Sequence, residues 1–224
     1  MKIISTILIS VLLAVTGSTC ASVVVGGTRL VYDGGKKEAS LSVSNLDKTP
    51  YLIQSWVENS PNSSEKAPFI ITPPLFRLEG EQENVLRVVR SSGNLPVDRE
   101  SMYWINIKSI PSLTSDSPQN TLQIAVKTRI KLIYRPQGLQ GSPEEQTEKL
   151  IWQRKGNNLQ LINPTPFYMN FHQVKVGESE LEGVAYVAPM SINSFTLPKV
   201  TAGQVSWKII NDYGGVGPEH VRAW

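Results

Sequence analysis

Short apolar runs rich in β-branched and aromatic residues recur along the chain, and helical periodicity is scarce. In the first half they cover 22–25, 30–32, 39–44, 51–58, 84–89, 102–107 and 122–134, and each predicts a strand. Turn chemistry separates them, as in Asp33-Gly34-Gly35, Asn45-Leu46-Asp47 and Ser91-Ser92-Gly93-Asn94, at the spacing of a sandwich with Greek-key connections. Proline and glycine then punctuate the chain from Arg135 to Pro143, which marks a domain boundary. A second set of short runs at 150–153, 158–163, 167–176, 194–197 and 205–210 predicts a smaller sandwich. Asn163-Pro164-Thr165-Pro166 supplies a rigid bend between two of its strands. The polar stretch 144–149 lacks a sustained apolar stripe and reads as a connector with at most a helical turn. The expectation is an all-β protein with domains at 22–137 and 138–224.

One run is odd. A strand over 122–134 has about twice the usual length, and its alternation projects Leu122, Ile124 and Val126 to one face. Two placements fit: a core face, or an open sheet edge that offers backbone pairing and an apolar row to another polypeptide.

The beginning of the chain supplies an address. Lys2 precedes an apolar run over 3–15 that is too short to span a bilayer and ends in the small-residue exit Gly17-Ser18-Thr19-Cys20-Ala21. Residues 1–21 are read as a secretory signal peptide with cleavage before Ser22; lipidation of Cys20 is the alternative, to which Thr19 is a poor fit. Cleavage there removes the only cysteine, so no disulfide is expected. No later stretch approaches membrane-spanning length, and no membrane span is expected. The net charge of +3 is mild and scattered, without a run of five basic residues, which argues against a nucleic-acid partner.

Catalytic chemistry is hard to find. His172 and His220 are the only histidines and lie far apart with no carboxylate or cysteine at ligand spacing, so no metal is expected. There is no Gly-x-Ser-x-Gly elbow, phosphate loop, His-Glu-x-x-His or dinucleotide fingerprint, and no cofactor is expected. The glycine-rich stretch Tyr213-Gly214-Gly215-Val216-Gly217-Pro218 is read as a turn, since no helix follows to aim N–H groups at a phosphate.

The run from Leu95 to Pro111, with Pro96-Val97-Asp98-Arg99-Glu100-Ser101-Met102-Tyr103-Trp104 at its centre, resembles the signature of Gram-negative periplasmic pilus chaperones. The resemblance extends through Thr28-Arg29-Leu30-Val31-Tyr32-Asp33-Gly34, Thr72-Pro73-Pro74-Leu75-Phe76-Arg77-Leu78, Ile130-Lys131-Leu132-Ile133-Tyr134-Arg135-Pro136, Asn163-Pro164-Thr165-Pro166-Phe167-Tyr168 and Ile210-Asn211-Asp212-Tyr213-Gly214-Gly215. It implies two immunoglobulin-like β-sandwich domains set as a boomerang, a periplasmic location and no enzymatic activity. Its implied partners are pilus subunits and an outer-membrane usher; an open apolar edge would also invite weak self-capping by a second copy in the free state.

By match to the family motifs, Arg29 and Lys131 are the cleft cations that hold the subunit's C-terminal carboxylate, and Leu122, Ile124 and Val126 are the donated apolar row. Glu100, Arg135 and Asp212 match an interdomain charge cluster. On a strict two-residue period Lys131 falls on the face opposite the donated row, and a bulge or strong twist between Val126 and Lys131 would reconcile them. A short connection from Pro111 to Thr121 and the lack of a flanking cysteine pair resemble the branch that serves rod-like adhesive pili. The competing reading is a secreted pilus subunit or adhesin; a periplasmic hydrolase lacks an evident nucleophile and base.

Overall fold

The computed structural model describes residues 22–59, 65–91, 93–112, 122–197 and 203–223; the proposed leader, Cys20 and the 113–121 connection lie outside them. The first part of the chain carries β1 (Val23–Val25), β2 (Arg29–Asp33), β3 (Glu38–Asn45), β4 (Tyr51–Glu58), β5 (Phe69–Thr72), β6 (Leu75–Leu78), β7 (Glu83–Arg90), β8 (Ser101–Pro111) and β9 (Val126–Arg135). They form two sheets, ordered β1-β3-β7-β5 and β2-β9-β8-β4-β6. Alternate residues turn inward: Tyr103, Ile105 and Ile107 of β8 and Ile130, Leu132 and Tyr134 of β9 meet Leu41, Val43, Leu86 and Val88 of the other sheet.

The chain changes sheets between β1 and β2. β1 pairs antiparallel with β3, whereas β2 runs parallel to β9. Gly26 lies against Ser42 at this crossing, and a side chain there would displace the Ser42 hydroxyl. This switch decides how much of β9 is covered, because β2 begins only at Arg29.

The second part carries a short helix, α1 (Pro143–Gln146), then a 3-10 turn over Thr147–Lys149. The stretch expected to be a connector is thus helical, because Ser142 caps it by accepting from Glu145 N–H at 3.3 Å and Pro143 fits its first turn. β10 (Ile151–Lys155), β11 (Asn158–Asn163), β12 (Met169–Val176), β13 (Ser179–Glu180), β14 (Tyr186–Val187), β15 (Ser191–Thr196), β16 (Gln204–Ile209) and β17 (His220–Ala223) follow. Their sheets, β10-β11-β15 and β13-β12-β16-β17 with β14 beside β12, enclose Leu150, Trp152, Leu159, Leu161, Phe167, Val174 and Trp207. Two separate apolar cores make this a two-sandwich, nearly all-β protein, as expected.

Candidate functional site

β9 is covered unequally on its two flanks. Along one it pairs antiparallel with β8 from Val126, opposite Ser109, to Tyr134, opposite Ser101. Along the other, β2 accompanies it only from Lys131 to Arg135. Between Val126 and Ile130 that second flank has no strand neighbour among the described residues, so backbone groups along it are open to pairing. The strand expected over 122–134 begins only at Val126: 122–125 lie outside it, since no strand among the described residues pairs with them to hold an extended backbone in register. Leu122, Ile124 and Val126 are 84%, 66% and 55% exposed, which removes them from the core.

Within β9, Val126, Thr128, Ile130, Leu132 and Tyr134 alternate with Lys127, Arg129, Lys131, Ile133 and Arg135. The register against β8 is unbroken from Val126 to Tyr134, so of the two ways to reconcile the faces, a bulge or a strong twist, the bulge is absent. Val126 and Lys131 stand on opposite faces. The site joins them through the sheet plane instead: a strand added along the open flank would run into the first residue of β2, which is Arg29 beside Lys131.

Arg29 and Lys131 are register partners on adjacent parallel strands. Arg29 Nη1 donates to Ile210 O at 3.1 Å, while its buried Nε has no hydrogen-bond partner among the described residues. Lys131 Nζ donates to Asn170 Oδ1 at 2.6 Å and lies 5.0 Å from the centre of the Tyr186 ring. Burial lowers the pKa of Lys131 to about 8, with the Arg29 charge acting in the same direction. Burial also lowers Arg29, against the pull of Asp212 and Glu144. Two half-buried cations side by side, one with an orphaned donor, form a site whose electrostatics call for an anion.

Other cations on this face of β9 already have partners. Arg129 pairs with Glu58 at 3.1 Å and lies 4.6 Å from the Trp104 ring centre, and Lys127 lies 5.3 Å from that of Trp56. Arg135 is held more tightly: Nε donates to Glu100 Oε1 at 2.7 Å, and Nη1 and Nη2 donate to Asp212 at 2.7 and 3.0 Å. Glu100 in turn accepts from Tyr168 N–H at 2.7 Å, and its own N–H donates to Pro166 O at 2.9 Å. Glu100, Arg135 and Asp212 are therefore one cluster that ties the first sandwich to the second. Burial pushes the Glu100 carboxyl up to about 7, opposed by Arg135 and the Tyr168 N–H.

This arrangement coincides with a family match over both sandwiches. Residues 22–140 match the pili and flagellar-assembly chaperone PapD N-terminal domain, and residues 145–221 match the pili assembly chaperone PapD C-terminal domain. The chain belongs to the PapD family of pilus-assembly chaperones. Over 202 residues it is 47% identical to the probable fimbrial chaperone LpfB of Escherichia coli O157:H7, covering 86% of this chain and 87% of the relative. Against chaperone protein FimC of Escherichia coli K12 the identity is 43%, over 95% of this chain and 89% of the relative. The SafB chaperone of Salmonella enterica, solved in complex with SafA pilin, superposes with a TM-score of 0.84 at 38% identity over 93% and 99% of the two chains. The Escherichia coli chaperone DraB superposes at 0.80 with 42% identity, over 90% and 95%. The family is a non-enzymatic assembly factor, which excludes the hydrolase reading.

The second sandwich gives the chaperone's site residues that sequence reasoning missed. Asn170, Tyr186 and the Ile210 carbonyl contact the two cations; Ile210 opens one of the family-like runs without its carbonyl being marked out, and Asn170 and Tyr186 lie in none of them. The one available signal was a polar residue, Asn170, between the apolar Met169 and Phe171 of a predicted strand. Met169, Asn170 and Phe171 are all buried. Ile210 reaches Arg29 because the following turn approaches β2: Gly214 takes φ +86° and sits so close to Thr28 that a Cβ would lie 2.6 Å from its Oγ1.

Proposed function

We propose that this chaperone works in the periplasm, capping unassembled pilus subunits by lending them the open flank of β9 and delivering them to an outer-membrane usher. The observation that carries this reading is the geometry of that flank. Exposed Leu122, Ile124 and Val126 lead along an unpaired edge to two cations that lack an acidic partner among the described residues. A subunit lacking one strand exposes an apolar groove and unpaired backbone groups, and the flank supplies what both need.

A carboxylate at Arg29 and Lys131 fixes direction as well as register. β9 runs toward these cations, so an added segment whose C-terminus stops at them must lie parallel to β9. Burying the three apolar side chains contributes roughly 5–9 kcal/mol before ordering costs, at about 1.5–3 kcal/mol each. The apolar row supplies affinity, and the cations choose the alignment. Release needs no nucleotide, because another strand can displace β9 from the groove, and the usher is where such an exchange would take place. In the free chaperone a second copy covering the same edge provides weak self-capping.

The test is co-expression with the pilins of its own assembly system and purification from periplasm, the bound chain being identified by mass spectrometry. A stoichiometric complex containing a pilin is expected. Folded chaperone recovered without pilin, while the pilins are degraded as they are in its absence, would overturn the reading.

A further inference from the structure

Both cleft cations belong to the first sandwich, yet each hydrogen-bonds to the second. Ile210 O accepts from Arg29 Nη1 at 3.1 Å, Ile210 N–H donates to Asn170 O at 2.7 Å, and Asn170 Oδ1 accepts from Lys131 Nζ at 2.6 Å. Asn170 is 3% exposed and stands directly across from Tyr186 in the β12–β14 pair, so the two residues that contact Lys131 brace each other. One hydrogen-bonded pair of neighbouring residues, Asn170 and Ile210, thus holds both cations.

We propose that Asn170 is a positioning residue for carboxylate capture: it aims Lys131 Nζ from the second sandwich, so the cation pair is assembled only when the two sandwiches are docked as observed. This inference rests on Arg29 and Lys131 being the carboxylate anchor. An ammonium on a flexible four-carbon stem has three donors and little intrinsic direction. With one donor held by Asn170 and the Tyr186 ring beside it, the remaining donors are confined near Arg29. The chemistry of the acceptor matters too. An amide oxygen holds the ammonium without neutralising it, whereas a carboxylate at this position would pair with Lys131 and compete with the incoming chain end.

The experiment uses the full chaperone and a synthetic peptide copying the last residues of the pilin with which it co-purifies, made with a free carboxylate and as its C-terminal amide. Wild type is expected to bind the free acid about tenfold or more tightly than the amide. Asn170→Ala is expected to lower that ratio by about tenfold with amide binding unchanged, and Asn170→Asp to lower it by internal competition. The ratio isolates carboxylate recognition, because a general loosening of the fold weakens both peptides together. Asn170→Ala with the wild-type ratio would overturn the positioning role and leave the anchor standing. If that variant does not fold, a folded Asn170→Asp that keeps the wild-type ratio would overturn it equally. A wild-type protein indifferent to acid and amide would instead remove the anchor itself.

Discussion

Arg29 and Lys131 are direct register partners on parallel β2 and β9, and no carboxylate is paired with either among the described residues. Two residues along the same face, Arg135 is neutralised by both Glu100 and Asp212. The contrast divides the labour of the cleft. The compensated cation links the two sandwiches, and the uncompensated pair has the electrostatics that the proposed carboxylate anchor requires.

Replacing either uncompensated cation should therefore cost binding rather than folding. Arg29→Ala and Lys131→Ala are each expected to fold and to melt within about 1–3 kcal/mol of wild type, since each loses one hydrogen bond to the second sandwich but no internal ion pair is broken. Subunit capture is expected to fall by about 2–5 kcal/mol, because the carboxylate is left short of a partner inside the cleft. Melting curves and periplasmic pull-downs check the two arms, and normal subunit yield with either variant would remove that cation from the anchor.

The depressed pKa of Lys131 gives opposite pH dependences for the free and bound forms. In the free protein it titrates at about 8, against an ordinary 10.5 for an unfolded chain, so its charge costs stability below pH 8. That cost is relieved as pH rises from 8 to 10.5, and stability should gain on the order of 1–3 kcal/mol relative to Lys131→Met over this window. A bound carboxylate favours the charged form, so capture should weaken as pH rises through about 8 and take up a proton above it. Melting and peptide titration from pH 6 to about 10 read both signs; capture that strengthens above pH 8 would contradict the placement of Lys131 at the carboxylate.

The compensated cluster should behave differently. Glu100→Ala removes one partner from a buried pair and is expected to cost about 3–5 kcal/mol, with Asp212→Ala costing less because Asp212 is partly exposed. Glu100→Gln is expected to be milder than Glu100→Ala: its amide oxygen still accepts from Tyr168 N–H, and burial already works against the Glu100 charge. Small-angle scattering should report a looser domain angle for Glu100→Ala. Unchanged melting and scattering would mean that the cluster does not fix how the sandwiches dock.

The sandwiches were largely legible because inward residues such as Ile105 and Ile107, or Leu159 and Leu161, follow the period of two that any half-buried strand imposes. β5 and β6 escaped because four-residue strands on either side of Pro73-Pro74 carry too little pattern to separate from a loop. The pairing of Arg29 with Lys131 and the charge cluster were legible only through family motifs, since these residues meet across distant parts of the chain. Asn170 was legible only as a polar residue between two apolar ones and Tyr186 not at all, because their contacts depend on how the second sandwich docks against β9. The overlong strand failed in an informative way. Leu122 and Ile124 have strand alternation without a strand partner among the described residues, which is the pattern a segment needs if its partner is another molecule.

That pattern leads to the sharpest test of the donated row. Ile124 is 66% exposed and lies just ahead of β9, so Ile124→Asp places a charge where the free protein has solvent. The variant should fold with an unchanged melting curve, because no core contact is lost. In a subunit groove the same carboxylate would be stripped of water with no counter-charge, and capture should weaken by several kcal/mol. Gln123→Asp, on the alternate position, is the control: it adds the same charge without entering the groove and is expected to cost under about 1 kcal/mol. Hydrogen exchange supplies a second readout, since amides on the open flank from Val126 to Ile130 should exchange quickly in the free chaperone and become protected when a subunit pairs with them. Equal loss of capture by Ile124→Asp and Gln123→Asp would mean that charge alone repels the subunit. Capture surviving Ile124→Asp, with the flank still exchanging quickly in the complex, would mean that the subunit is held elsewhere.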